Sequence, residues 1–436
     1  VMLPDSAHIQ EMEVENLNRR NAQRGRDLVE PIYTKDDAAA CMLLFRASDY
    51  DEWFKVSDDI RARFWNAGHL LGSASVELEI GNMDDTKLLR FLFSGDLGPQ
   101  HKLLQPDPRA PADIDYLICE STYGDRDRGE VTPESRRALL QAEVKRAADM
   151  RGPLIIPSFA VERTQELLVD LHRLMLSGAI PPAPIIVDSP LATRASAIFE
   201  RHASEIEEGA ALVKALNSGD IRFTETVEQS KAVNKLTGYL IIIAASGMCD
   251  AGRIRHHLKN NLWRRNATIM MVGFQAQGSL GRILLDGAER VRIQGEEIQV
   301  KASIRQLDLY SSHADATELV DWVQERLPVS SGILLSHGEP EAMTALKQRL
   351  KHLVPADRIL MPQIDEGFEL TETGARQVVE GKIPRLKPEK VAHLDWHNDL
   401  SKLLLDVNET ISREADERGR QAIIRRLRRA LNAHEG

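Results

Sequence analysis

The chain has 436 residues, 42% hydrophobic and 28% charged, the balance of an ordinary globular protein with room for two or three domains. No apolar run approaches the roughly 20 residues of a bilayer-spanning helix and no secretory pattern stands out, so a cytoplasmic protein without a membrane partner is expected. The net charge of −10 argues against a nucleic-acid partner, but basic residues gather at 253–265 and 425–429, and local patches are what hold phosphates.

Residues 5–60 read as mostly helical and charged, with Asp5 and Ser6 as a helix cap. From 61 to 120 the pattern changes to short β runs broken by Gly and Asp turns. Residues 125–151 read as a charged helix, and a regular β–α alternation follows. The runs at 153–157, 184–187, 239–245 and 267–272 precede helical stretches at 162–175, 193–202, 253–262 and 281–285, which implies a parallel sheet covered by helices. Residues 306–310, a helix over 315–326 and a strand at 332–335 read as one more βαβ unit. Beyond 365 the chain reads as helical, rich in Arg and Glu. Leu400, Leu403, Leu404 and Val407 lie there at helical spacing, a stripe for core packing or self-association as a homodimer. The three cysteines, Cys41, Cys119 and Cys249, are scattered without zinc-type pairing and read as core residues of a reducing compartment.

Several β runs end on residues that metals accept. The first leads into Ala67-Gly68-His69-Leu70-Leu71-Gly72-Ser73, where flanking glycines permit tight turns. The second leads into Ser94-Gly95-Asp96-Leu97-Gly98, the third into Glu120-Ser121-Thr122-Tyr123-Gly124, and the fourth into Ser336-His337-Gly338-Glu339. Strand termini aim side chains into the crevice at a sheet edge. Imidazole nitrogens and carboxylate oxygens are zinc donors, so the set points to a hydrolytic metal centre assembled from distant segments. Each residue also has a plainer reading: a loop histidine bonded to backbone for His69, a turn carboxylate for Asp96. In Ser311-Ser312-His313-Ala314-Asp315, Ser312 or Asp315 suits a helix cap, whereas His313 suits a general acid because imidazole titrates near neutral pH. His393 and His397 are spaced i, i+4 but lack the glutamate of a zincin helix, and residues 273–281 lack a nucleotide-binding fingerprint.

Taken together, these segments resemble the β-CASP branch of the metallo-β-lactamase fold, a family of RNA-processing nucleases. The likeness covers roughly residues 1–370. It implies an α/β protein: a metallo-β-lactamase αββα sandwich over 1–125 and 304–365, a β-CASP domain of parallel sheet and flanking helices inserted at 126–303, and a helical extension over 366–436. By resemblance His69 and His337 are metal ligands, Asp96 bridges two zinc ions, Glu120 orients His313, and His313 protonates the leaving group. Ser246, Gly247, Arg253 and Ser312 are the candidate phosphate and RNA contacts, since backbone amides and a guanidinium hold phosphodiesters well. Pro157-Ser158-Phe159-Ala160-Val161-Glu162-Arg163 and Val187-Asp188-Ser189-Pro190 look like parts of the inserted domain.

One departure stands out. None of the 13 histidines forms the His-x-His-x-Asp-His motif that defines the fold. An N-terminally incomplete chain, with four of seven expected zinc ligands absent, weak zinc affinity and impaired turnover, is therefore expected. The leading expectation is a zinc-dependent ribonuclease, by endo- or 5′-exonucleolytic cleavage. The alternatives are a non-catalytic RNA-binding or scaffold member of the family, and a metallohydrolase acting on a non-nucleic substrate.

Overall fold

The computed structural model describes residues 2–379 except 24, 82–87, 130 and 364, together with 403–407, 410, 411, 413 and 416–432. In chain order the strands are β1 (Trp53–Ser57), β2 (Ile60–Asn66), β3 (Ala74–Ile80), β4 (Leu89–Phe93) and β5 (Ile114–Glu120), then β6 (Pro153–Pro157), β7 (Ile185–Val187), β8 (Ile221–Phe223), β9 (Leu240–Ala244) and β10 (Thr268–Met271). There follow β11 (Arg290–Ile293), β12 (Glu296–Gln299), β13 (Ser303–Gln306), β14 (Val329–Ser336), β15 (Ile359–Leu360), β16 (Gly367–Thr371) and β17 (Gly374–Val379).

Two sheets organise these strands. The first has the order β1-β2-β3-β4-β5-β14-β15. Its first four strands form an antiparallel meander, after which β4, β5, β14 and β15 run parallel. Period-two alternation gives it two different faces. Leu92, Leu117, Cys119, Ile333 and Leu335 pack under the helices Ala316–Gln324 and Pro340–Leu350. Phe91, Tyr116 and Leu334 face the other way, where Leu370 and Ala375 of the β16–β17 hairpin join them.

The second sheet, β13-β10-β6-β9-β7-β8, is entirely parallel. Its strands are near-continuous aliphatic runs such as Leu240-Ile241-Ile242-Ile243-Ala244, because helices bury both faces. Helices Pro133–Asp149 and Arg163–Leu176 cover one face. Helices Val227–Val233, Ile254–Asn261 and Leu280–Leu285 cover the other.

The β–α alternation read from the sequence is present, with four corrections. Asp5 and Ser6 do not cap the first helix; they lie inside Met2–Gln23. Residues 306–310, 315–326 and 332–335 are not one βαβ unit, because β13 pairs with β10 in the second sheet and β14 with β5 in the first. The proposed boundary at 303/304 therefore cuts a strand of the inserted sheet. Residues 366–379 form a hairpin rather than a helix, and the Tyr116 hydroxyl anchors it by donating to the Thr371 carbonyl at 2.6 Å. Cys41 is exposed, whereas Cys119 and Cys249 are core residues. His393, His397 and Leu400 lie outside the described residues. Among those described, no helix is long and apolar enough to cross a membrane.

Candidate active site

Strand direction explains why distant residues meet. The strands β2, β4, β5 and β14 all end at the same edge of the first sheet, so the turn after each opens into one crevice. His69 follows β2, Asp96 follows β4, Glu120 is the last residue of β5, and His337 follows β14. Two of these turns touch. The Gly98 amide donates to the Ala67 carbonyl at 2.8 Å, and a Cβ on Gly98 would sit 1.9 Å from the Gly68 oxygen. Glycine at 98 is what brings Asp96 to His69.

His69 is 8% exposed and held at several points. The Ser73 hydroxyl accepts from its backbone amide at 3.1 Å, and its Nδ1 donates to the Ser312 carbonyl at 2.7 Å. That bond leaves the lone pair on Nε2, which faces Asp96 Oδ2 at 3.7 Å. Burial foremost, then the positive neighbours His313 and Lys102, hold this imidazole neutral, lowering its pKa to about 3. Asp96 turns its other oxygen to His337, with Oδ1 3.2 Å from Nδ1. One carboxylate thus stands between two imidazoles.

His313 lies at the centre of the cluster, its ring centroid 4.5 Å from that of His69 and 5.6 Å from that of His337. Its Nδ1 donates to the Glu120 carboxylate at 3.1 and 3.2 Å. Glu120 is itself fixed: Oε1 accepts from the Leu97 amide, and Oε2 from the Thr122 hydroxyl at 2.6 Å. The loop bearing His313 is tied in by the Ala314 amide, which donates to the Leu97 carbonyl at 2.8 Å. Arg128 adds a bond from Nη2 to the His313 carbonyl at 2.5 Å. Asp315 is the cap of Ala316–Gln324, accepting from the Glu318 amide.

The donor set suits a cation. Nε2 of His69 and Oδ2 of Asp96 are two acceptors face to face with no proton between them, an arrangement that a metal ion satisfies and a hydrogen bond does not. His69, Asp96 and His313 offer ligand atoms within 4.8 Å of one another, as do Glu120, His313 and His337.

The phosphate candidates divide. Ser312 is at the cluster, but its contact there is the carbonyl that orients His69. Ser246 and Gly247 follow β9, where Gly247 lies so close to Phe159 that a Cβ would come within 2.8 Å of the ring. Arg253 lies in the inserted domain, where its Nη1 bonds Asp188 at 2.7 Å and Thr224 Oγ1 at 3.0 Å, and its Nη2 the Glu225 carbonyl at 3.0 Å. Asp188 neutralises its charge inside the inserted domain. Sequence reasoning missed Thr122 as the residue linking Glu120 to His337, its Oγ1 lying 3.1 Å from His337 Nδ1. Its place two residues after Glu120 was the available signal. Arg128 and Lys102 gave none, and Glu162 stood out only as part of the segment at 157–163.

A mixed sheet whose strand ends gather histidines and carboxylates beside an inserted parallel-sheet domain defines the class of metallo-hydrolases with a metallo-β-lactamase-like site. The family models agree: residues 164–284 match the Beta-Casp domain, and 297–361 match the Zn-dependent metallo-hydrolase RNA specificity domain. The chain is 35% identical over 326 residues to "Ribonuclease TTHA0252" of Thermus thermophilus, covering 74% of this chain and 72% of that protein. It is 29% identical over 341 residues to an "RNase J-like protein" of Methanocaldococcus jannaschii, covering 76% and 77%. Against "Transcription termination factor FttA" of Cenarchaeum symbiosum it is 29% identical over 359 residues, covering 78% of this chain and 54% of that factor. The chain belongs to the β-CASP family of metallo-β-lactamase-fold proteins.

Proposed function

We propose that the protein is a metal-dependent ribonuclease that hydrolyses RNA phosphodiesters in RNA processing or decay, with zinc as its metal. The observation that carries this reading is the Asp96 carboxylate between His69 and His337, with His313 held beside it by Glu120. His69, Asp96 and His337 hold the metal. Zinc, when bound, acidifies water and stabilises charge on a phosphoryl oxygen. The rest falls to the chain. Glu120 accepts a hydrogen bond from His313 Nδ1–H, so Nε2 is the atom that protonates the departing ribose oxygen. Thr122 keeps Glu120 in place, and Arg128 holds the backbone of His313. Gly247 offers a backbone amide and Ser246 its hydroxyl for a phosphate, the Ser246 amide donating instead to the Ala251 carbonyl at 3.1 Å. RNA enters between the two sheets, whose strand ends face the cluster. In this reading the first sheet and its return segment form one domain, the parallel sheet from 126 to about 306 the insert. The protein works in the cytoplasm, and self-association uses the exposed Leu403 and Leu404.

The test is cleavage of an end-labelled single-stranded RNA with added zinc, with chelator, and by His313→Ala. Loss of cleavage in the last two supports the reading; cleavage indifferent to both sinks it. A second reading is a non-catalytic RNA-binding protein of the same family. Salt-sensitive RNA binding without cleavage under any metal would select it.

A further inference from the structure

Two buried ionisable side chains have no part in the chemistry above, yet they lie against the turn that carries His69. Lys102 has a side chain only 2% exposed; its Nζ donates to the His69 carbonyl and lies 3.6 Å from Glu162 Oε1. Glu162 is fully buried, and its Oε2 accepts from the Leu71 amide at 3.2 Å and from Gln105 Nε2 at 3.1 Å. One turn further, Glu166 accepts from the Leu103 amide at 3.2 Å. Both carboxylates stand at the start of Arg163–Leu176 in the inserted domain. All their partners belong to the loops after β2 and β4.

The backbone supports a positional role. Glu162 has φ +71° and ψ −65°, a conformation that L side chains rarely adopt and that persists only where the surroundings over-determine it. A buried ion pair is by itself a poor device for stability, because apolar residues of similar volume serve as well or better. What this pair does that apolar residues cannot is donate to the carbonyl of His69 and accept from the amide of Leu71, two residues on.

We propose that Lys102 and Glu162 are positioning residues for the metal site, fixing the backbone of His69 so that Nε2 meets Asp96, and making that register depend on the docked inserted domain. Ser73 holds the amide of His69 and Ser312 its ring; Lys102 supplies the remaining hold, on the carbonyl. The inference rests on His69 being a metal ligand.

The test uses the full chain and two readouts: zinc affinity by competition with a chromophoric chelator, and the melting temperature of metal-free protein. Lys102→Met is expected to weaken zinc binding by about 10- to 100-fold, the usual effect of losing a partner that orients a ligand. The double variant Lys102→Met, Glu162→Gln leaves no unpaired buried charge, so its melting temperature is expected to recover while zinc binding stays weak. Recovery of both, or parental affinity in both variants, makes the pair merely structural and overturns the inference. His69→Ala keeps the two failures apart: if it also leaves zinc affinity untouched, the assignment of His69 is what falls.

Discussion

At the scale of single residues the site divides into donors and the groups that aim them. Glu120 is the clearest of the second kind, one carboxylate gripping the Leu97 amide, the Thr122 hydroxyl and His313 Nδ1 together. Glu120→Gln keeps the shape but removes the charge and offers an amide nitrogen where an acceptor is needed. Its single-turnover cleavage rate is expected to fall by about 10²-fold or more, toward the full contribution of a general acid, with RNA affinity unchanged. An unaltered rate would remove Glu120 from the mechanism. Much of this level was legible in the sequence, because His69, Asp96, Glu120, His313 and His337 each sit in short Gly-, Ser- or Asp-containing turns after β runs. The aiming groups were not. The carbonyl of Ser312 and the ammonium of Lys102 reach His69 across 243 and 33 positions of chain, and no local pattern marks such a partner.

At the scale of elements, the inserted sheet is pinned at its strand ends by a buried polar node. Asp188, just past β7, accepts from Ser230 Oγ and His257 Nε2 at 2.6 Å each, from Arg253 at 2.7 Å, and from the Thr224 hydroxyl. Burial pushes its carboxyl pKa upward, but the bonds from His257, Ser230, Thr224 and Arg253 outweigh it and hold the group well below the usual carboxylate range. A carboxylate with a depressed folded pKa stabilises the fold above its unfolded value of about 3.9 and loses that contribution as pH falls through the folded one. Asp188→Asn is expected to cost about 3–5 kcal/mol in chemical denaturation at neutral pH, because it leaves buried His257 and half-buried Arg253 without their carboxylate. The deficit should shrink on acidification below about pH 3.9; a constant or absent deficit would contradict this account. The strands of this sheet were readable as aliphatic runs between helices. Two features were not: a β–α–β pattern does not say that β13 and β14 join different sheets, and the polar alternation of Gly367–Thr371 and Gly374–Val379 gives little sign of a hairpin.

At the scale of the whole molecule, the two sheets turn their strand ends toward one cleft, and the loops between them are locked by buried contacts. Arg163, at the start of the helix after β6, donates from Nε to the Tyr310 carbonyl at 2.7 Å, close before His313. Tyr123 meets the His313 ring edge-on at 6.2 Å and the Phe274 ring of the insert at 5.7 Å. The acidic whole, −10 in net charge, does not oppose the proposed RNA substrate, because phosphate contacts are local. All of it depends on a metal at the meeting point of His69, Asp96 and His337. The direct measurement is anomalous diffraction at the zinc edge from crystals of the chain grown with zinc. The account predicts a peak within about 2.0–2.2 Å of His69 Nε2 and of an Asp96 oxygen, typical zinc–ligand distances. An empty cluster, or zinc bound only elsewhere, would contradict it.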